Sequence, residues 1–169
     1  DDYLFVRLRG AVAAVESAVT RMGADAQALG AKVMRMDNQE AMQDWRASGE
    51  QTLQFFEPPS GELCLWRLSV PQTAPVLDLP HIGNPAQYIE WQGAQRWLWA
   101  PATAASQLRE AAQAVGGHAT LFRASVLGGS SDKAVGVNAA LDAVQQRIQR
   151  ELQKQFDPQG VFATGRLGL

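Results

Sequence analysis

An α+β fold, with a mainly antiparallel sheet and helices packed on one face of it, follows from three features of the sequence. Apolar residues alternate along residues 63–70, which puts Cys64, Trp66, Leu68 and Val70 on one side of a strand. Two short runs, residues 87–91 and 96–100, flank the link Gln92-Gly93-Ala94-Gln95, which is short enough to reverse the chain between two strands. Apolar residues three and four apart, the spacing of a helix face, occur before, between and after these runs. The order of elements resembles a ferredoxin-like split βαβ with additions.

The elements in order are these. Residues 3–9 read as a strand, and Val12, Val15, Val19 and Met22 form a helical stripe that Gly23 can end. Residues 31–36 are short and apolar, which fits a strand or a loop. Asp37 with Glu40 has the form of a capping box, followed by Ala41, Met42 and Trp45 on a short helix before Gly49. Residues 53–56 and 63–70, separated by Pro58-Pro59-Ser60-Gly61, read as a hairpin. Four prolines between residues 71 and 85 remove backbone donors and make that stretch a long connection or an edge. The 87–91 and 96–100 runs give a second hairpin. Thr103 can cap a helix striped by Ala104, Leu108, Ala111 or Ala112, and Val115, with Gly116-Gly117 as its stop. A last strand covers 119–124, and 127–136 is a flexible loop by composition. Val137, Leu141, Val144, Ile148, Leu152 and Phe156 then mark a long amphipathic helix.

Composition narrows the function classes. The chain has 169 residues, 46% of them hydrophobic and 19% charged, which suits one soluble globular domain. Its net charge of −2 offers no excess of cations to neutralise phosphates, which argues against nucleic-acid binding. No apolar run reaches the roughly 20 residues that span a bilayer, and no signal-peptide pattern opens the sequence, so a cytoplasmic setting is expected. The single cysteine, Cys64, rules out an internal disulfide, a cysteine zinc site and a cysteine-held iron–sulfur cluster. The sequence begins at Asp1 directly before a strand-like run, which reads as a piece cut from a longer chain.

Few side chains announce chemistry. His81 and His118 have no second ligand at metal spacing, so no metal site is expected. Cys64 shares a strand face with Trp66 and Leu68 and reads as a packing residue. Gly128-Gly129-Ser130-Ser131 lacks the lysine of a phosphate-binding loop. Arg96, beside Trp97 and Trp99, is the candidate for binding a carboxylate of a substrate or of a partner, and is taken as an exposed strand arginine. Trp66, Trp91, Trp97 and Trp99 cluster around the hairpins, as core or as half of an interface. No catalytic triad, carboxylate pair or dinucleotide fingerprint occurs, and the catalytic residues remain unassigned.

The tail, Phe156-Asp157-Pro158-Gln159-Gly160-Val161-Phe162-Ala163-Thr164-Gly165-Arg166, resembles the carboxyl end of FAD-linked oxidases. Residues 65–71 (LWRLSVP) and 93–98 (GAQRWL) carry a closer likeness, over nearly the whole chain, to the carboxyl-terminal half of the FAD-binding E subunits of bacterial glycolate oxidases. The resemblance implies that residues 1–169 are the cap or substrate domain of a vanillyl-alcohol-oxidase-like flavoprotein, with an FAD-cradling domain upstream. It implies FAD in the full-length chain, a small 2-hydroxy acid such as glycolate as substrate, and a catalytic flavoprotein and an iron–sulfur subunit as partners. It would hold the protein at the inner membrane only through those partners. Gly165 and Arg166 match the family's flavin-contacting tail, whereas Ala163-Thr164 replaces its Asn-Pro. The His-rich segments of the related catalytic subunits correspond to residues 91–97 and 116–120 here, where those ligands are missing. The chain by itself is therefore expected to be inactive and to bind no stoichiometric FAD. The alternative is a non-catalytic docking or electron-relay subunit of the same kind of complex, and a free-standing ligand-binding module is a third reading.

Overall fold

The computed structural model describes residues 2–162, and the chain divides into two compact units between Glu50 and Gln51. The first unit holds two helices, α1 (Val12–Ala28) and α2 (Asn38–Glu50), and none of its described residues is buried. Gly23 lies inside α1 and does not end it. The stop comes at Gly30, whose φ of 84° admits the left-handed turn, with the amide of Ala31 reaching back to the carbonyl of Ala26 at 3.0 Å. Asp37 caps α2 as expected: its Oδ1 accepts from the amides of Gln39 at 2.8 Å and Glu40 at 3.3 Å. A two-point ion pair from Arg35 to Glu16, both bonds 2.8 Å, ties the linker between the helices to α1.

The strand expected at residues 3–9 does not form, and residues 31–36, which fit a strand or a loop, are loop. A strand needs a neighbour for its N–H and C=O groups, and all four strands of the described sheet lie in the second unit, paired with one another.

That second unit is built on β1 (Cys64–Ser69), β2 (Tyr88–Glu90), β3 (Gln95–Ala100) and β4 (His118–Arg123). They lie in the order β2-β3-β1-β4, every neighbour antiparallel. Helix α3 (Ala105–Ala114) joins β3 to β4 with β1 inserted between those two strands, which is a split βαβ. β1 is bonded on both sides, so residues 53–56 have no free edge of it to pair with. They form a 3-10 turn instead, and the first expected hairpin is absent. The second hairpin forms as expected, from β2 and β3.

The period of two along β1 sorts its residues onto two faces. Cys64, Trp66, Leu68 and Val70 join Leu98, Ala100, Ala119 and Leu121 under Leu108 and Ala112 of α3 and under Leu77 and Leu79 of the proline-rich connection. Each such leucine, fully buried, contributes about 1.5–3 kcal/mol. On the opposite face Leu65, Trp97 and Trp99 pack against Phe56, with Phe55 and Tyr88 at the margin. The rings of Phe56 and Trp97 meet edge to face at 5.7 Å. Gly117, after α3, is where backbones come closest: a Cβ there would stand 2.3 Å from the carbonyl oxygen of Ser69.

Two later expectations change. Residues 129–135 are a 3-10 helix, held as described below, and not an open loop. Helix α4 (Ala143–Phe156) begins six residues later than its apolar stripe suggests. Asp142 sets that start through a capping box with Gln145, while the carbonyl of Val137 instead accepts from the amide of Leu121 at 2.8 Å. Val144, Ile148, Leu152 and Phe156 form the stripe and are exposed.

Arg96 is not an exposed strand arginine; it is 2% exposed. It pairs with Leu68 in the register and so points to the α3 side, beneath the proline-rich connection. Its Nη2 donates to the carbonyl of Ala74 at 2.6 Å, its Nη1 to that of Pro75, and its Nε to that of Gly93 at 3.2 Å. Arg96→Ala removes three part-buried hydrogen bonds to the carbonyls of Ala74, Pro75 and Gly93, each worth about 0.5–1.5 kcal/mol net. Urea unfolding of this variant is expected to show a loss of roughly 2–4 kcal/mol, with Arg96→Lys recovering less than half. A loss below about 1 kcal/mol would show that these carbonyls find other donors.

Candidate functional site

The structure brings Arg96, Trp97 and Trp99 onto one strand but onto opposite faces, and buries all three. The indole Nε1 of Trp97 donates to Glu90 Oε2 at 2.7 Å, and that of Trp99 to the carbonyl of Phe55 at 2.7 Å. Trp66 is likewise buried and donates to the carbonyl of Ala100 at 3.2 Å. Of the four tryptophans around the hairpins only Trp91 is exposed, at 74%, on a turn where it and Gln92 both adopt positive φ. Burial pushes the Arg96 guanidinium down from its ordinary value.

The face that carries Trp97 is covered at one end and open at the other. Across it the register aligns Tyr88, Trp97, Arg67 and Thr120 in one row, and Glu90, Gln95, Ser69 and His118 in the next. Phe55 and Phe56 cover the tryptophan end. A bulge between Leu65 and Trp66 places Phe122 beside Trp97, their rings edge to face at 4.9 Å, and Phe122 remains 45% exposed. Arg67 lies over the Phe122 ring, its guanidinium carbon 5.8 Å from the centroid. Sequence reasoning missed Arg67. The signal lay in the register, because an arginine between Trp66 and Leu68 must point away from the face those two residues share.

The second polar cluster lies on the α3 side. Asp132 Oδ2 accepts from the Ser125 hydroxyl at 2.6 Å, the Ser125 amide at 2.9 Å and the Cys64 thiol at 3.4 Å. The Ser125 hydroxyl and amide, and then the thiol, hold the Asp132 carboxyl below its usual range. Burial and the Asp132 hydrogen bond push the Cys64 thiol up to about 11. Arg109 closes the same segment, donating to the carbonyls of Val135 at 2.8 Å and Gly136 at 2.5 Å. A Cβ on Gly128 would stand 2.1 Å from Asp132 Oδ1. A carboxylate against the glycines does not fit the pyrophosphate of FAD, so this loop is no cofactor cradle. Gly165 and Arg166, the expected flavin contacts, lie outside the described residues. Among the described residues no three His, Cys, Asp or Glu side chains form a metal-binding group. None of the described helices is long and apolar enough to cross a membrane.

Two outcomes check the Asp132 cluster. Iodoacetamide at pH 8 is expected to leave Cys64 unmodified in the folded chain and to alkylate it in urea, because the thiolate is the reactive form. Asp132 has its pKa lowered by folding, so its stabilising contribution is present above the unfolded value and is lost as pH falls through the folded value. Asp132→Asn should therefore be less stable than the parent at pH 7, and its acid-unfolding curve shallower. Superimposable acid-unfolding curves would contradict the assignment.

No family model matches the chain. No solved structure matches it either. Among curated proteins the chain is similar to glycolate oxidase subunit GlcE of Escherichia coli (strain K12), with 35% identity over 167 residues, which is 99% of this chain and 39% of that relative's length. The likeness to glycolate oxidase E subunits carried by residues 65–71 and 93–98 is thereby borne out.

Proposed function

We propose that the chain is the cap portion of the FAD-binding subunit of a glycolate oxidase, which converts a small 2-hydroxy acid to the 2-oxo acid with FAD as the electron acceptor. The observation that carries this reading is similarity to GlcE along 99% of the chain. FAD belongs, in this reading, to the remaining length of the subunit, with Gly165 and Arg166 as the contacts from this chain. Electrons then pass to an iron–sulfur partner, and a catalytic flavoprotein completes a cytoplasmic complex. Arg96, Trp97 and Trp99 are buried and in this reading hold the hairpin in shape, so that substrate or partner contact falls to the exposed residues beside them.

A docking or relay role in the same complex is the second reading. It is favoured by residues 91–97 forming a tight turn and a buried strand end in place of an imidazole ligand set. An imidazole is the usual base for taking a hydroxyl proton during hydride removal.

The deciding experiment uses the full-length parent protein, loaded with FAD and mixed anaerobically with glycolate. Flavin bleaching by the subunit alone would establish a competent site on it. Bleaching only after the catalytic subunit is added would leave this chain the relay or docking role, and no bleaching in the assembled complex would overturn the proposal. The 169-residue chain alone is expected to purify without stoichiometric FAD, and a yellow preparation would contradict that.

A further inference from the structure

Four arginines lie on the sheet or against it, and three of them spend the guanidinium on main-chain carbonyls. Arg96 takes Ala74, Pro75 and Gly93; Arg109 takes Val135 and Gly136; Arg123 takes Phe56 at 3.0 Å. Arg67 is the exception. Its Nε is closed off from solvent and has no hydrogen-bond partner, and neither terminal nitrogen has one among the described residues. It forms no ion pair there, since the described ion pairs join Arg35, Arg46 and Lys154 to glutamates. The acidic side chain nearest in the register, Glu90, already accepts from Trp97 and Gln95.

What surrounds Arg67 suits a ligand. Phe122 lies under the guanidinium plane and Trp97 stands beside it in the register, so the group is held against apolar rings while the face remains open. Thr120, its Cα partner on β4, is 9% exposed and its hydroxyl makes no hydrogen bond among the described residues. A planar guanidinium with unpaired donors matches a carboxylate through two parallel bonds, and a wall of rings strengthens those bonds by keeping water away. One cation and one hydroxyl suit the single charge of a carboxylate better than a phosphate dianion.

We propose that Arg67, with the Thr120 hydroxyl as a second donor, anchors the carboxylate of a small organic acid on the open half of this face. Resting on the function proposed above, that acid is the 2-hydroxy acid substrate, and Arg67 is a positioning residue for it. The role that the sequence suggested for Arg96 falls to the arginine that pairs with Trp97 on the opposite face of the sheet.

The test follows the Arg67 Nε–H and Trp97 indole N–H resonances of the 169-residue chain, and of the FAD-loaded full-length protein, during titration with glycolate, acetate and methyl glycolate. Both acids are expected to shift these resonances saturably and the neutral ester is not. Arg67→Met should weaken binding by at least about tenfold, and Thr120→Val, which preserves shape, by a smaller factor. Absence of saturable shifts in both proteins, or unchanged binding in Arg67→Met, would overturn the assignment. The two proposals fail separately. Arg67-dependent acid binding without flavin reduction by glycolate would keep this site and remove the oxidase reading. Flavin reduction with an unaltered KM in Arg67→Met would keep the oxidase reading and remove this site.

Discussion

The second unit depends on a buried guanidinium. Arg96 reaches from β3 to the carbonyls of Ala74, Pro75 and Gly93, and so fastens a connection that cannot fasten itself. Four prolines between residues 71 and 85 leave that stretch short of donors, yet it must lie over the sheet so that Leu77 and Leu79 complete the core above Leu68 and Leu98. A charge without a counter-ion is costly to bury. Three carbonyl dipoles aimed at the guanidinium offset that cost and place the connection where a crossover helix would otherwise sit. Gly93 completes the arrangement, because a Cβ there would stand 2.8 Å from the carbonyl oxygen of Gln72. Arg109 and Arg123 repeat the device on the 3-10 segments at Val135 and Phe56.

With one face closed by α3 and this connection, the proposed site falls on the other. There the aromatic end is filled by Phe55, Phe56, Trp97 and Trp99, and the remainder carries Arg67, Thr120, Ser69 and His118 on an open sheet. Rigid strands fix these side chains at a spacing of one residue pair, a better platform for orienting a small ligand than a mobile loop. The similarity to a glycolate oxidase subunit and the unpaired arginine are separate observations, and the proposed carboxylate site draws on both.

Strand periodicity was the most legible part of the sequence. Cys64, Trp66, Leu68 and Val70 occupy the face their alternation implies, β2 and β3 pair across the Gly93 link, and Leu108 and Ala112 face the core. Pairing partners were not legible. Residues 3–9 and 53–56 have strand composition, but whether an edge is free to receive them is decided by the whole sheet. Helix starts depend on caps: Asp37 caps α2 where its sequence pattern implies, whereas the apolar residues Val137 and Leu141 precede the start that Asp142 sets for α4. Arg96 was singled out for the right residue type and the wrong surroundings. Its three partners lie in a segment with no regular periodicity, so nothing local revealed that it would be buried. Arg67 could have been placed by the same alternation that placed Trp66 and Leu68.

The most direct measurement of the central constraint is amide hydrogen exchange on the parent chain and on Arg96→Lys, comparing the proline-rich connection with the sheet. If the guanidinium fastens that connection, the amides of Ala74 and Leu79, bonded to Pro71 and to Asn84, lose protection in the variant while those of Leu68 and Leu98 keep theirs. No loss in either would show that the connection is held by its leucines alone, and equal loss across connection and sheet would show that the guanidinium supports the whole unit rather than fastening the connection.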